Sequence, residues 1–435
     1  METTEENIII IGGGFGGINL AKELLKNPFQ VQVTLVDRNN YNFFPPLLYQ
    51  VATGFLDVSG ISYPYRRLFR NHSNFHFRMG ELLEIKPDNN TVVLTTGELQ
   101  YSKLVLATGK ESNFFGNDNV KKHALPMKTV ADAIYLKNAI LERFELATRT
   151  TDPAERQKLT TIVVAGGGPT GVEIAGMHSE LKANILEKDF PELSGLPFDI
   201  YLIDGLPTLL GPMSKESQQY THKSLEAMGI KIRLNELVKD FDGDSVLLGS
   251  GMRIATKNLL WTAGVTVHVF EGLPNEVYGR GKRLIVNEFN MVTGTSNIYA
   301  IGDTCIQTTD QPFSNGHPQL AQVAIQQGKN LAHNMHLASR QQVLKPFHYN
   351  DKGSMAIIGR NKAVADLAKP HAHFEGFLAW LMWLFIHLLS LINVRNKIKT
   401  FASWVSAYLT KDQYLRMIIR PEQKDSNIGC AKAEQ

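Results

Sequence analysis

Residues Asn7 to Gly17, NIIIIGGGFGG, decide how the rest of the chain is read: an apolar run breaks off into five glycines and one phenylalanine. So short and uniformly apolar a run is expected to be a buried parallel strand turning straight into a helix. Gly12, Gly14 and Gly17 fall at the G-x-G-x-x-G spacing. In such a turn the first glycine permits the bend, the second lets a pyrophosphate approach the backbone, and the third lets helix and strand sit close. The helix start then offers unpaired N–H groups and the positive end of its dipole.

The pattern recurs at Thr161 to Gly171, TIVVAGGGPTG, with Gly166, Gly168 and Gly171 in the same places. A single glycine-rich turn also occurs where nothing binds. A repeat that includes the acids after the next strands does not arise readily by chance. Asp37 stands 20 residues after Gly17, closing a strand over Val31 to Val36, and Asp204 follows Asp199 to Ile203. A carboxylate there is placed to hydrogen-bond ribose hydroxyls. The expected class is α/β, with two Rossmann-like dinucleotide-binding domains.

The 435 residues suit two or three domains, and 43% hydrophobic with 20% charged residues is ordinary for a globular chain. A net charge of +3 is too small to argue for a nucleic-acid partner. The two cysteines, Cys305 and Cys430, have no metal-like spacing, exclude a disulfide framework and fit a reducing compartment. No metal site is expected. Met1 to Asn7 is acidic and lacks a basic leader, so the first apolar run is not read as a signal peptide and the catalytic body is expected in the cytoplasm or a matrix-like compartment.

Along the chain, Ile18 to Lys26 reads as a helix stopped by Asn27-Pro28. Tyr41 to Gly54, YNFFPPLLYQVATG, is a loop crowded with apolar residues, either plugging the core or walling a cofactor or acceptor channel. Phe75 to Thr95 reads as strands joined at Asp88-Asn89-Asn90. LVLATG is a buried strand ending in Ala107, Thr108 and Gly109, small enough for a flat cofactor. A helical stretch from Pro126 to about Leu159, broken near Asp152-Pro153, bridges to a second domain containing a hairpin over Phe241 to Leu248 and a strand over Leu259 to Ala263. Ile298 to Asp303, IYAIGD, reads as a strand returning to the first domain. The expected division is 1–125 and 287–345 for the first, split domain, 126–286 for the second, and 346–435 for a helical tail.

The set GGGFGG, FPPLLYQVATG, LATG, GGGPTGVE, LWTAGV, IYAIGD and AQVAIQQG resembles the type II NADH dehydrogenases, single-chain flavoproteins that reduce membrane quinone, over about residues 7 to 410. The resemblance implies non-covalent FAD at Gly12, Gly14, Gly17, Asp37 and Asp303, and NADH at Gly166, Gly168, Gly171 and Asp204. Phe15, Gly16, Arg38, Pro169, Thr170, Ala263, Gly264, Gly302 and Ala321 flank these motifs and complete the expected cofactor-binding set. Two dinucleotide sites without a redox cysteine pair leave direct hydride transfer from nicotinamide to flavin as the economical reaction. Asp204 is followed by Gly205, Leu206 and Pro207 with no arginine for a 2′-phosphate, which favours NADH, although the family more often has glutamate there.

Three residues are expected to act on the acceptor. Glu173 sits early in the second nucleotide helix, where a charge is poorly placed beside a pyrophosphate; it reads either as a structural helix-start acid or, by the GVE resemblance, as a nicotinamide contact or proton relay. Gln322 and Gln326 are four apart on one helix face beside Ala321 and Ala324, and the resemblance sets them against flavin and quinone. Pro318 is expected at that helix's start. His387, alone in an apolar helix, reads as a packed residue rather than a proton donor.

Phe377 to Ile392, FLAWLMWLFIHLLSLI, would form a helix about 24 Å long against a hydrocarbon core of about 30 Å. A second amphipathic helix from Arg395 to Leu409 follows, with Arg395, Lys397, Lys399, Lys411, Arg416 and Arg420 around it. An interfacial anchor is expected ahead of a single spanning helix or a buried dimer interface. The whole reads as an FAD-dependent NADH:quinone oxidoreductase of the respiratory chain, on the cytoplasmic face of the cell inner membrane, reducing ubiquinone or menaquinone without pumping protons. A homodimer is left open. The rivals are a soluble reductase of ferredoxin or rubredoxin and a non-catalytic sensor holding FAD and NADH.

Overall fold

The computed structural model describes residues 6–26, 31–412 and 415–419. The expected Asn27-Pro28 stop, Arg420 and Cys430 lie outside them. Strands β1 (Glu6–Ile11), β2 (Val31–Asp37), β3 (Phe75–Met79) and β4 (Lys103–Leu106) come first. They are followed by β5 (Leu125–Pro126), β6 (Ile162–Ala165), β7 (Ile200–Ile203), β8 (Ile230–Arg233) and β9 (Asn258–Trp261), and then by β10 (Ile298–Ala300). Two parallel five-stranded sheets result, in the orders β10-β4-β1-β2-β3 and β5-β9-β6-β7-β8. Each places its glycine-rich strand in the middle. Ile8 to Ile11 and Ile162 to Ala165 are buried on both faces, as uniformly apolar central strands must be. The first sheet is interrupted in sequence, since β5 to β9 build the second sheet before β10 returns beside β4.

Helix α1 (Phe15–Leu24) starts three residues before the expected Ile18 and ends ahead of Asn27. The expected loop over Tyr41 to Gly54 is in fact a short strand, a 3-10 turn at Pro45–Leu47, and α2 (Leu48–Ala52). All five residues of α2 are buried, so this stretch plugs the core; its apolar content is paid back only by packing. Helix α3 (Val130–Arg149) opens with a capping box between Thr129 and Asp132, and Asp152 caps a separate α4 (Pro153–Thr160) with Pro153 in its first turn. The hairpin expected at Phe241 to Leu248 is present.

Helix α5 (Pro169–Leu181) follows the second glycine loop, and α6 (Ala321–Ser339) packs along α1. Helix α6 begins three residues after Pro318, with Leu320 at its cap. The tail opens with an antiparallel sheet of β11 (Ser354–Gly359), β12 (Lys362–Leu367) and β13 (Ala372–Glu375). It closes with α7 (Gly376–Ser390) and α8 (Val394–Thr410). Helix α5 lies so close to β11 that a Cβ on Gly176 would collide with the carbonyl of Ile358. Among the described residues no helix is long and apolar enough to cross a membrane.

Candidate functional site

The first cradle forms where β1, β4 and β10 end side by side. Gly12 has φ +103°, and a Cβ there would run into the backbone of Ala107 at the end of β4. Gly17 similarly lies against the carbonyl of Gly12. Gly14 faces open space, so the approach left for a pyrophosphate is clear. Between them Gly13 is gripped from three sides. Its N–H donates to Asp37 Oδ2 at 2.8 Å, and its carbonyl accepts from Asn42 Nδ2 and Tyr65 Oη, both at 3.0 Å. Asp37 also accepts the N–H of Asn39 at 2.8 Å. Burial pushes its carboxyl up, against those N–H groups, Tyr65 and Arg38, which draw it down. Asp37 therefore holds the loop. Arg38 points away, to Glu81 at 3.8 Å and Glu111 at 3.5 Å.

Opposite the loop, Gly109 donates its N–H to Thr304 Oγ1 at 3.1 Å, and Thr108 Oγ1 lies 3.5 Å from the same hydroxyl. Gly302 donates to Gln327 Oε1 at 2.7 Å. Asp303 lies 3.5 Å from Lys110 Nζ, which also donates to the Gln319 carbonyl at 3.1 Å. Nearby, burial and then the charge of Lys110 bring the Lys128 ammonium down to about 8, with Asp303 opposing. The sequence reading missed Tyr65, Thr304, Gln327, Lys110 and Lys128. Lys110 and Thr304 had a signal, being next to quoted motifs, and Gln327 lies inside AQVAIQQG.

The second cradle repeats the geometry at the ends of β6 and β9. Gly166 has φ +112° and lies against Thr262 and Ala263, while Gly168 faces open space. Asp204 accepts the N–H of Gly167 and, at 2.7 Å, that of Leu206. Gly14 and Gly168 are both exposed and Gly17 and Gly171 both buried, but Pro169 and Thr170 are exposed where the matching Phe15 is half-buried and Gly16 buried. Gly264 is overlain by Phe115, an exposed ring that the sequence reading also missed.

Glu173 is buried on α5, and that burial pushes its carboxyl well above the usual range, favouring its protonated form; the N–H of Ile357 on β11 opposes the shift. Gln322 and Gln326 do share a face, but their amides are engaged. Gln322 bonds the Gly353 carbonyl at 2.8 Å and the Lys352 N–H at 3.2 Å; Gln326 bonds both backbone groups of Asn350 at 2.9 and 3.0 Å. They strap the segment leading into β11 to the start of α6. His387 donates Nδ1–H to the Trp383 carbonyl at 2.8 Å and stacks on the Trp383 ring. Burial brings its imidazole down to about 4, so it is a neutral, packed ring.

Two glycine cradles at the carboxyl ends of two parallel sheets, each with room for a pyrophosphate, fit FAD in the first and a nicotinamide dinucleotide in the second. They define a flavin-dependent, nicotinamide-linked oxidoreductase. Consistent with this, residues 6–328 match the pyridine nucleotide-disulphide oxidoreductase family, and residues 352–411 match the NDH2 C-terminal domain. The chain is 33% identical over 455 residues to the type II NADH:quinone oxidoreductase NdhA of Mycobacterium tuberculosis, covering 98% of this chain and 94% of that one. It is 34% identical over 419 residues to Ndh of the same organism, covering 93% and 88%. Its fold matches the solved NDH2 of Plasmodium falciparum in complex with NADH with a TM-score of 0.86 at 22% identity, over 96% and 100% of the two chains. The chain belongs to the type II NADH:quinone oxidoreductases: it is an FAD enzyme that oxidises NADH and reduces a quinone. Cys305 is buried with its thiol free, and that burial pushes the thiol up to about 12.

Proposed function

We propose that this enzyme works seated on the cytoplasmic face of the inner membrane, with Glu173 serving the acceptor half of the reaction. The observation that carries the seating is an uncovered apolar stripe. On α7, Phe377, Leu381, Phe385 and Leu389 recur every fourth residue and are exposed; on α8, Ile398, Phe401, Val405 and Leu409 do the same. The opposite face of α8, Asn396, Thr400, Trp404 and Ala407, is buried against the body. Two helices fastened by one face and apolar on the other suit the boundary between headgroups and acyl chains. Basic charge is thinner than the sequence suggests, because Arg416 is paired with Asp189 and Asp412, both at 2.6 Å.

Bound FAD supplies the two-electron chemistry, accepting hydride from NADH and passing the electrons to quinone. Around it, the residues of this chain orient and exclude water. Asp37, Thr304, Gly109 and Asp303 hold the first dinucleotide, and Gly166, Gly168, Ala263 and Asp204 the second. Glu173, kept protonated by burial, holds a proton between α5 and β11 for the reduced acceptor. Gln322 and Gln326 act by fixing the segment before β11 rather than by touching quinone. The electron path lies inside the globular body, and turnover in proteoliposomes is expected to build no membrane potential.

Vesicle sedimentation tests the seating. Phe385→Glu with Phe401→Glu should release the protein from anionic liposomes and abolish turnover of a lipid-soluble quinone while a water-soluble quinone is still reduced. Undiminished vesicle binding would rule the seating out. Anaerobic mixing tests the chemistry: NADH should bleach the flavin and quinone restore it, and a flavin left oxidised by NADH would defeat the reading.

A further inference from the structure

A buried hydrogen-bond chain runs from the lipid-facing helix α8 into the core. Trp404, on the buried face of α8, donates its indole N–H to Gln50 Oε1 at 2.8 Å. Gln50, on α2, donates from Nε2 to Tyr49 Oη at 2.9 Å. Tyr49 and Gln50 are 1% and 3% exposed, so water does not compete for these groups. An indole N–H can only donate. Its partner must therefore be the oxygen of the Gln50 amide, which leaves the amide nitrogen for Tyr49. The phenol oxygen is then an acceptor towards Gln50, and its own proton must point elsewhere. Among the described residues Tyr49 Oη donates no hydrogen bond, and a buried O–H without an acceptor is unfavourable. Helix α2 packs against α5, which carries Glu173. Burial, and after it the Glu173 carboxyl, push the Tyr49 phenol well above its usual range.

We propose that Trp404, Gln50 and Tyr49 form a one-way chain that presents the phenolic proton of Tyr49 to the Glu173 carboxyl through one bridging water. The three are positioning residues of the quinone half-reaction. The proposal rests on the acceptor-side role given to Glu173 above. It couples the seat of the lipid-facing helix to the acid in the core: if α8 shifts and Trp404 lets go, the Gln50 amide is free to turn over, and Tyr49 can donate to Gln50 instead.

The test is infrared spectroscopy of the flavin-loaded, full-length enzyme in liposomes. The carboxylic C=O band of Glu173 is identified by its loss in Glu173→Gln. In Tyr49→Phe, which removes only the hydroxyl, and in Trp404→Phe, which keeps an aromatic ring but removes the N–H, that band should move to higher wavenumber. Lipid-soluble quinone turnover should fall about tenfold, the order expected for one buried hydrogen bond, with the loss in flavin reoxidation rather than in reduction by NADH. A band unmoved in Tyr49→Phe overturns the chain even if Trp404→Phe does not fold. A band that moves in both variants while Glu173→Gln keeps full turnover upholds the chain and removes Glu173 from the reaction.

Discussion

The two cradles share their glycines, the order of four of their five strands and their terminal aspartate, yet they are supported differently. In the first, the middle glycine is held at both its N–H and its carbonyl, by Asp37, Asn42 and Tyr65, and α1 is clasped by α6. In the second, Gly167 is held at its N–H by Asp204 and at its carbonyl by the backbone N–H of Leu210, with no counterpart to Asn42 or Tyr65; Pro169 and Thr170 are exposed where Phe15 is half-buried and Gly16 buried, and α5 leans on β11 of the tail. A loop fixed on all sides suits a resident cofactor, because the ordering cost is met once, on folding. A loop that is open and lightly held suits a substrate that comes and goes. The same motif thus becomes a prosthetic site or an exchange site according to what surrounds it.

The sharpest way to break that contrast is to fill the first glycine of each loop. Gly12→Val and Gly166→Val both put a branched side chain at a positive φ, at a cost of about 3 kcal/mol or more. Gly12→Val should purify without flavin; Gly166→Val should keep its flavin but no longer be bleached by NADH. Flavin-to-protein ratios and anaerobic mixing read both, and flavin loss in the two alike would erase the distinction.

The aspartates come next. Asp37→Ala and Asp204→Ala each leave a glycine N–H unpaired, worth about 1 to 3 kcal/mol. Asp37→Ala should weaken flavin retention about tenfold or more in equilibrium dialysis, by the usual conversion of free energy to affinity. Asp204→Ala should instead raise KM for NADH and leave the flavin in place.

Glu173 sharpens the comparison at the level of charge, since only the second nucleotide helix carries a buried acid in its opening turns. Its folded carboxyl binds its proton more tightly than an unfolded glutamate does, so stability is lost as pH rises above about 4.3 towards the folded-state value. Glu173→Gln has no such titration, and its Tm should gain on the wild type as pH rises above about 4.3. A constant Tm difference across that range would show that the acid is not buried in its protonated form.

The smallest effect is expected from Gln326→Ala, which frees both backbone groups of Asn350. A loss of about 1 kcal/mol, seen as a Tm lower by a few degrees, should accompany little change in flavin content.

Local signals carried much of this molecule. The runs before the glycines, the break at Asp152-Pro153, the turn at Asp88 to Asn90 and the returning strand at Ile298 were all legible, because each follows from neighbours a few residues away. The stretch from Tyr41 to Gly54 was not. Its prolines and aromatics argue for a connection, and only the surrounding apolar faces turn Leu48 to Ala52 into a buried helix. Gln322 and Gln326 were found by spacing, but spacing shows a shared face and not what that face grips; the backbone of residues 350 to 353 was invisible to it. Tyr65 and Lys128 had no local mark at all, for they reach their sites across dozens or hundreds of residues.

From its order of residues alone, this chain is committed to two glycine-turned parallel sheets, to two dinucleotides and to a flavin chemistry without cysteines, because those depend on backbone freedom and on periodicity. Which cradle is clasped and which is open, which acid stays protonated, and which faces of the last two helices are left bare were decided only when distant segments met. Burial and hydrogen-bond partnership belong to the assembled surroundings of a side chain.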